Sequence, residues 1–394
     1  APDAIMEFVD WKRRAGHPVE LLRIEGQEVD EVMLRDMIRE IYFDIGFEYL
    51  VLMGSNFADP PLYLPLNSNN FYDVFYGLLE GGDMFPEVAV GTFNCLTEES
   101  ITCAIRRAIS YQSAPYNERT EWFTRAGIGV GACSVPQDLS PSYTGKWIRE
   151  VLSRNQFDDV ETSFFADNGV DDPHELIENL YNSQVNFVIV RAHAWNLEVE
   201  NINPGPVYPF QFLVSSGTIS PPDNGAFNWI FRQGTPDDMK GPSAGFGHLS
   251  SPRTNNANAL VGGLVESLFL LDIDTYGWAR NYAIANLMRV MADGEDHIEY
   301  CFSHWQFYGD PGQWCWVGVP LEIEVQRRQE IDPDATEFSV RVVAAGGDEA
   351  VSDATVCLFQ EDGPKLISQT SEDGLVNFTW SLRELNDNPL QLTV

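Results

Sequence analysis

A histidine and a pair of serines follow two apolar segments of this sequence and could together perform nucleophilic chemistry. His193 follows the apolar run Phe187–Val190 after two residues, and Ser215–Ser216 follow the segment 209–214. Continuous apolar runs are typical of buried parallel strands, and groups beyond their carboxyl ends meet at one rim of the sheet. A histidine there can take the proton of a serine hydroxyl, while backbone N–H groups near Gly217 hold an oxyanion. The alternative is a packed ring and unrelated hydroxyls, because such residues often end strands by chance.

Three further residues are expected at the same rim. The backbone N–H near Ala194 would help to hold the oxyanion, Trp195 would form a pocket wall, and His248 would line the pocket from the end of another strand. A core position is the alternative for both rings, since buried tryptophan and structural histidine are common. The sequence assigns no acidic residue as the partner that orients the imidazole.

The alternation of helices and strands predicts the sheet that positions these residues. The segments 7–16 (EFVDWKRRAG) and 29–46 (VDEVMLRDMIREIYFDIG) have apolar residues at helical spacing. The segment 17–24 (HPVELLRI) alternates as a strand does, and 47–54 (FEYLVLMG) has the continuous apolar character of a buried parallel strand. This alternation predicts an α/β, doubly wound architecture with mostly parallel sheets and helices on their faces.

The pattern divides the chain into three expected parts. A polar segment separates the first set of elements from a second one, in which strands and helices alternate again. Near the end, short strands separated by turns such as AGGDE and SEDG predict an antiparallel sandwich of the immunoglobulin kind. We expect an N-terminal α/β subdomain over 1–117, a subdomain with the histidine–serine site over 118–319, and the all-β sandwich over 320–394.

The charge balance limits the classes of partner. The 394 residues include 24 basic and 59 acidic side chains, which give a formal net charge of −35. A surface this negative repels phosphate backbones, so we expect no nucleic-acid partner. Only four of the basic residues are lysines, which suits solubility at high salt; an acidic extracellular protein is the alternative.

The chain is expected to be secreted or bound to a cell surface without spanning the membrane. No apolar run approaches the roughly 20 residues that a membrane span needs. The sequence begins APDAI, without a basic and apolar leader, so we expect any signal peptide to have been removed.

Metal and thiol chemistry have weak support in the sequence. The six cysteines form neither a CxxC pair nor a metal-ligand spacing, so we expect mostly buried free thiols and no zinc. The acidic loop with Glu80 and Asp83, together with Asp73 upstream, can supply the oxygen ligands of a structural calcium ion. A solvated turn is the alternative, and no cofactor is expected to be required.

Several segments resemble, in colinear order, the gingipain-type cysteine peptidases, which are relatives of the caspases. The segments are EFVDWKRRAGHPVELL (7–22), FEYLVLMGS (47–55), FYDVFYGLLEGGDMFPEVAVGTF (71–93), VRAHAWN (190–196) and FYGDPGQWCW (307–316). They resemble the family's opening helix and strand, its YVLLVGD strand, its Y…DGD…PDVAVGR segment, its GHG histidine and its closing GDP turn. The resemblance implies a caspase-like fold in two subdomains, followed by an immunoglobulin-like appendage, and it also makes calcium an expected ion.

The resemblance implies a site that departs from the family pattern. It assigns the catalytic histidine to His193 and the nucleophile position, a cysteine in the family, to Ser216, with Ser215 as the alternate. No cysteine lies between residues 133 and 301. The family's glycines around the histidine, the Asp of VGD, the Arg of VGR and a glutamate after the nucleophile become Ala192 and Ala194, Ser55, Thr92 and Trp229.

A serine at the nucleophile position predicts a large loss of activity. A hydroxyl is a far weaker acid than a thiol, so we expect the rate to fall by several orders of magnitude. We therefore expect a degenerate or inactive peptidase, a pseudoenzyme, whose crevice binds a peptide or protein ligand. The alternatives are an active endopeptidase that uses His193 and Ser216, and a peptidase with serine installed by nature or by design. A designed exchange fits less well, because it would have left the flanking glycines intact. A further alternative is an extracellular structural module for self-assembly or cell-surface association.

Overall fold

The computed structural model describes most of the chain and divides it into two units. The described residues are 2–24, 29–54, 73–113, 120–131, 140–164, 173–191, 202, 205–214, 218–219, 230–249, 252–290, 300–301, 303–328, 330–331, 335–361, 363, 365–380, 385–386 and 388–394. The first unit contains Gly26–Val319, and the second combines Pro2–Glu25 with Pro320–Val394. The segment Pro2–Glu25 therefore packs with the C-terminal strands, although the expected N-terminal subdomain included it.

Helices and strands alternate through the first unit, and strands dominate the second. The helices are α1 (Pro2–Arg14), α2 (Glu31–Ile45), α3 (Glu98–Ser113), α4 (Ser140–Arg154), α5 (Pro173–Asn182), α6 (Thr254–Leu270) and α7 (Tyr276–Val290). The strands of the first unit are β1 (Tyr49–Met53), β2 (Ala89–Phe93), β3 (Arg125–Val130), β4 (Asp159–Phe164), β5 (Phe187–Arg191), β6 (Phe210–Leu213), β7 (Gly234–Thr235), β8 (Asp238–Met239), β9 (Ala244–His248) and β10 (Trp305–Tyr308). The strands of the second unit are β11 (Ile323–Arg327), β12 (Glu337–Ala344), β13 (Thr355–Phe359), β14 (Lys365–Gln369), β15 (Leu375–Thr379) and β16 (Gln391–Thr393).

One mostly parallel sheet of eight strands forms the centre of the first unit, which confirms the α/β prediction. Its strand order is β1-β2-β10-β9-β6-β5-β3-β4, and only the β10–β9 pair is antiparallel. Strands β1, β2 and β10 therefore run in one direction and the other five run in the opposite direction. As a result, the carboxyl ends of β5, β6 and β9 share a sheet edge with the amino ends of β1, β2 and β10.

The central strands are buried on both faces, as their continuous apolar sequences predict. Every residue of β5, β6 and β9 is buried. Phenylalanine rings fill the core: Phe187 stacks parallel to Phe212 at 5.8 Å, and Phe210 stacks on Tyr276 of α7 at 3.5 Å between ring centroids. A fully buried phenylalanine stabilises a fold by up to about 3 kcal/mol, so this cluster fixes β5 and β6 relative to α7.

A buried arginine joins α3 to the segment that leads into β9. The guanidinium of Arg107 is fully buried and donates hydrogen bonds to the carbonyl oxygens of Phe231, Gln233 (2.9 Å), Lys240 (2.6 Å) and Pro242 (2.8 Å). Carbonyl dipoles thus compensate for the lost hydration of the charge. The cation holds the β7–β8 hairpin and the start of β9 in place.

Two three-stranded antiparallel sheets form the second unit together with α1. The sheet orders are β11-β12-β15 and β14-β13-β16, which confirms the predicted C-terminal β-sandwich. Helix α1 ends before Gly16, whose φ of +94° favours glycine, and the Cys357 thiol of β13 reaches the carbonyl oxygen of Arg13 at 3.6 Å. An immunoglobulin-like topology stays a prediction.

One predicted strand is wrong. Residues 17–24 alternate in sequence, but they form no strand, and Leu21 and Leu22 are exposed. Alternation shows only that an extended segment would have an apolar face, whereas a strand also needs a neighbouring edge for its backbone hydrogen bonds. Within the described residues, no helix has the length and apolar character to cross a lipid bilayer.

Candidate functional site

The two strands that precede the candidate histidine and serines are neighbours in the sheet. β5 and β6 pair in parallel, with Phe187 opposite Phe210 and Val190 opposite Leu213. The N–H of Val214 continues the ladder with a 2.9 Å hydrogen bond to the carbonyl oxygen of Val190. The prediction that two adjacent parallel strands lead to the candidate residues is therefore confirmed.

Most of the candidate catalytic residues lie outside the described residues. These are His193, Ala194, Trp195, Ser215, Ser216 and Gly217. Their roles stay predictions, and the described geometry concerns the strands and side chains that flank them.

A buried arginine ties the end of β5 to the end of β6. Arg191 lies two positions before His193, and its guanidinium donates to the carbonyl oxygen of Val214 at 3.4 Å. It also donates to Asn258 Oδ1 at 3.0 Å and to the carbonyl oxygen of Thr254 at 3.4 Å, both in α6. These contacts fix the two strand ends against one helix. The sequence patterns do not predict this role, although an arginine at the end of an apolar strand is a visible signal.

The chain that follows the candidate serines crosses onto the end of β9. The hydroxyl of Thr218 accepts a 2.8 Å hydrogen bond from the N–H of His248, and the N–H of Ile219 donates to the His248 carbonyl oxygen at 3.2 Å. This crossing requires glycine at position 247, because a Cβ there would lie 2.5 Å from Cγ1 of Ile219. Residues 215–217 thus connect the end of β6 to a crossing fixed on β9.

His248 is fully buried at the end of β9. Its backbone forms the contacts with Thr218 and Ile219, and its ring lies nearly parallel to that of His304, with 6.2 Å between the centroids. The position beside the crossing agrees with the predicted location of His248, while its role as a pocket-lining residue stays a prediction.

The predicted calcium ligands occupy different environments. Asp73 is buried, where it accepts a 2.6 Å hydrogen bond from the Thr92 hydroxyl. Burial raises the pKa of Asp73 to about 6, against the opposing effects of Thr92 and the Arg280 charge. Glu80 and Asp83 are exposed; Glu80 accepts from the Tyr42 hydroxyl at 2.8 Å.

The same residues do not assemble a metal centre within the described structure. No group of three or more His, Cys, Asp or Glu side chains there is arranged to hold a metal ion. Calcium binding stays a prediction, and Asp73 has a structural explanation in its contact with Thr92.

The described thiols are unsuited to nucleophilic attack. Cys95, Cys103, Cys301, Cys315 and Cys357 are all buried and free. Burial raises the pKa of the Cys95 thiol to about 11, and it raises the pKa of Cys315 further. A buried thiol in apolar surroundings is inert and out of reach of a substrate. These five cysteines therefore do not replace the cysteine that is lacking from the candidate site.

Comparison with known proteins finds similarity to gingipain-type peptidases. Residues 2–189 match the model of Peptidase family C25, which is slightly less than half of the chain and ends before His193. Gingipain R2 of Porphyromonas gingivalis is 22% identical over 392 residues, a match that covers 89% of this chain and 49% of that protein. Gingipain R1 of the same organism is 29% identical over 142 residues, which cover 35% of this chain and 13% of that protein. The chain thus spans about half, or less, of the curated relatives that it matches.

Solved structures establish the fold over the whole chain. The crystal structure of "the Arg specific cysteine proteinase gingipain R (RGPB)" superposes with a TM-score of 0.82 at 19% identity, covering 100% of this chain and 92% of that one. A complex of Porphyromonas gingivalis RgpB pro- and mature domains gives a TM-score of 0.80 at 18% identity, covering 100% and 94%.

Proposed function

We propose that the chain is a member of the gingipain-type, caspase-like peptidases, that it binds polypeptides at the β5–β6 rim, and that it has lost most or all peptidase activity. The family's nucleophile position is Ser216 here, and the imidazole of His193 would face it. A serine without an assigned acidic partner for the histidine is poorly activated, so peptides would be held without efficient cleavage.

The register of the β5–β6 ladder is the observation that supports placing residues 193 and 216 at a common rim. In the β5–β6 ladder, each residue faces the residue 23 positions later, as Phe187 faces Phe210 and Val190 faces Leu213. His193 and Ser216 are also 23 positions apart in the sequence. The register of the described strands therefore supports the pairing of these two residues, and the Arg191 contacts with both strand ends support a rigid rim.

An active serine peptidase is the second candidate, and the same register favours it. In that case His193 would remove the proton from the Ser216 hydroxyl and return it to the leaving amine. The bond formed would join serine Oγ to the substrate carbonyl carbon, and the bond broken would be the peptide C–N bond. Backbone N–H groups near Gly217 and Ala194 would hold the oxyanion, and water would then hydrolyse the acyl-enzyme.

Labelling with a fluorophosphonate separates the two candidates. This reagent phosphonylates only serines that a neighbouring base activates, so the degenerate protein should leave Ser216 unmodified. The control is Ser216→Ala. If the protein is degenerate, this variant and the unchanged chain should show the same background labelling. Modification of Ser216 that His193→Ala abolishes would contradict the degenerate assignment and support the active peptidase.

The location of the protein, secreted or at a cell surface, is part of the proposal. The net charge of −35 suits a secreted or cell-surface protein, and the family resemblance supports the same location. The β-sandwich over 320–394 would then be an immunoglobulin-like appendage that serves self-assembly or attachment. Gel filtration of the full chain, and of the chain without the whole second unit (residues 2–25 and 320–394), would reveal its contribution to assembly.

A further inference from the structure

A groove of about 640 Å³ opens on the first unit beside α7, next to the segments that lead into β1 and β2. Strands β10 and β9 separate β2 from β6 in the sheet, so the groove is distinct from the β5–β6 rim. The lining residues that matter for its chemistry are Glu48, Phe85, Ile273, Asp274, Trp278 and Tyr282. We propose that this groove binds a small organic cation of the choline type, through its quaternary ammonium group.

Three aromatic rings line the groove and leave surface for a ligand. Phe85 is 52% exposed, and Trp278 and Tyr282 of α7 are partly exposed. Residues four positions apart lie on the same face of a helix, so the two α7 rings stand side by side. The faces of aromatic rings attract cations, and walls of such rings are a common means of holding quaternary ammonium groups.

Two carboxylates provide the complementary charge. Glu48 and Asp274 line the groove, and neither forms a salt bridge with any residue that the structure describes. Burial is the main cause of the raised pKa of the neighbouring Tyr49 phenol, and the charges of Glu48 and Asp274 raise it further. The two charges therefore act on the same place, where a bound cation would offset them.

The groove offers a ligand few hydrogen-bond partners besides these carboxylates. The amide of Asn281 lines it too, but Nδ2 donates to the carbonyl oxygen of Val88 at 3.4 Å, and Oδ1 accepts from the Arg280 guanidinium at 3.3 Å. The other lining side chains are apolar or aromatic. A primary ammonium is strongly hydrated and would leave N–H donors without protein partners there. A quaternary ammonium has no N–H group, and its methyl groups cover apolar surface.

The lining also distinguishes an organic cation from other charged ligands. The described residues contain no group of three or more His, Cys, Asp or Glu side chains arranged to hold a metal ion. The groove volume lies in the range of about 300–1,000 Å³ that is typical of organic ligands. A zwitterion such as glycine betaine would bring a carboxylate beside Glu48 and Asp274 and be repelled. Choline, with one positive charge and no negative one, matches both the walls and the carboxylates.

An NMR titration of the full chain with choline chloride tests the proposal, with sodium chloride adjusted to keep the ionic strength constant. The readout is the indole N–H resonance of Trp278, assigned by its loss in Trp278→Phe. Choline should shift this resonance saturably, whereas its uncharged isostere 3,3-dimethylbutan-1-ol should bind about tenfold more weakly. Ethanolamine, which has a primary ammonium group, and glycine betaine should also bind more weakly than choline.

Two matched variants locate the binding site. Asp274→Asn removes one of the two charges and should weaken choline binding about threefold to tenfold. Asp272→Asn changes an exposed carboxylate two positions away that is not part of the groove lining, and it should leave the affinity unchanged. Both side chains are exposed, so neither substitution disturbs the core.

Three results would overturn the proposal. These are a Trp278 resonance that does not move at millimolar choline, an equal affinity for choline and for the uncharged isostere or ethanolamine, and an unchanged affinity in Asp274→Asn. Displacement of choline by vesicles of pure phosphatidylcholine would contradict a free cation and assign the groove to a lipid headgroup. The groove and its readout are separate from His193 and Ser216, so this inference stands or falls independently of the proposed function.

Discussion

Replacing Asp73 by asparagine should remove a pH dependence from the stability of the fold. Asp73 is buried, accepts a hydrogen bond from Thr92, and lies within range of the Arg280 charge. Burial favours its protonated form, while Thr92 and Arg280 favour its charged form. Burial is the larger effect, since the pKa rises from the ordinary 3.8 to about 6.

The direction and size of the effect follow from this pKa. Because the folded protein binds the proton more tightly than the unfolded chain, Asp73 contributes stability that is fully present below about pH 4. This stability is lost as the pH rises through about 6. A pKa raised by about two units corresponds to about 3 kcal/mol, at 1.36 kcal/mol per unit.

Urea unfolding of the unchanged chain and of Asp73→Asn, from about pH 4 to about pH 7, measures the effect. Asparagine keeps the shape of the side chain and an oxygen for the Thr92 hydroxyl, and the difference between the two proteins cancels the other acids. The variant should gain about 2–2.5 kcal/mol on the unchanged chain over this pH range, which covers most of the full effect. A constant difference would refute the reasoning, because burial and the opposing effects of Thr92 and Arg280 would then cancel. A difference of opposite sign would refute it as well and show that the opposing effects outweigh burial.

Three other predictions follow from packing and charge. Gly247→Ala should lower the free energy of unfolding by about 1–3 kcal/mol, because the new methyl group overlaps Ile219, whereas Gly82→Ala meets open space and should have little effect in the same urea assay. Arg107→Met should cost about 3–5 kcal/mol, since it leaves the buried carbonyl groups of Phe231 and Pro242 and the half-buried ones of Gln233 and Lys240 without this donor, and the exposed Arg149→Met is the control. Added potassium chloride should raise the melting temperature by screening the net charge of −35; a flat or falling response in a thermal melt would contradict the salt-adaptation hypothesis.

Local sequence patterns were sufficient where burial alone decides the structure. The almost continuously apolar runs that became β5 and β6 predicted interior strands, and their parallel pairing agrees with the α/β architecture that the alternation of elements predicted. The turns and alternating residues beyond Pro320 likewise predicted the β-sandwich. The strand order could not be read from local patterns. The antiparallel β10–β9 contact, which reverses the direction of three strands, joins segments far apart in the chain.

The roles of several polar residues could not be predicted, because the sequence does not show which residues they contact in the fold. Asp73, a predicted calcium ligand, is buried and accepts a hydrogen bond from Thr92, a contact that its acidic neighbourhood in the sequence does not indicate. The sequence indicates Arg191 only as the last residue of a strand, although its guanidinium contacts the ends of both strands and one helix at the rim. Gly247 is required because Ile219 crosses it, and that contact is formed by a distant segment.

The central claim is that His193 and position 216 lie at one rim of the sheet. The pKa of the thiol in Ser216→Cys tests this claim most directly. A cysteine beside an imidazolium has a pKa below the ordinary value of about 8.5. The rate of alkylation by iodoacetamide against pH, followed by peptide mass spectrometry, gives the pKa of this one thiol. The five described cysteines of the unchanged chain are buried, so they should react slowly.

If the two residues share one rim, the thiol pKa in Ser216→Cys should be lowered, and it should return to the ordinary range when His193→Ala is added. An ordinary pKa in Ser216→Cys, unchanged by the loss of His193, would contradict the shared rim.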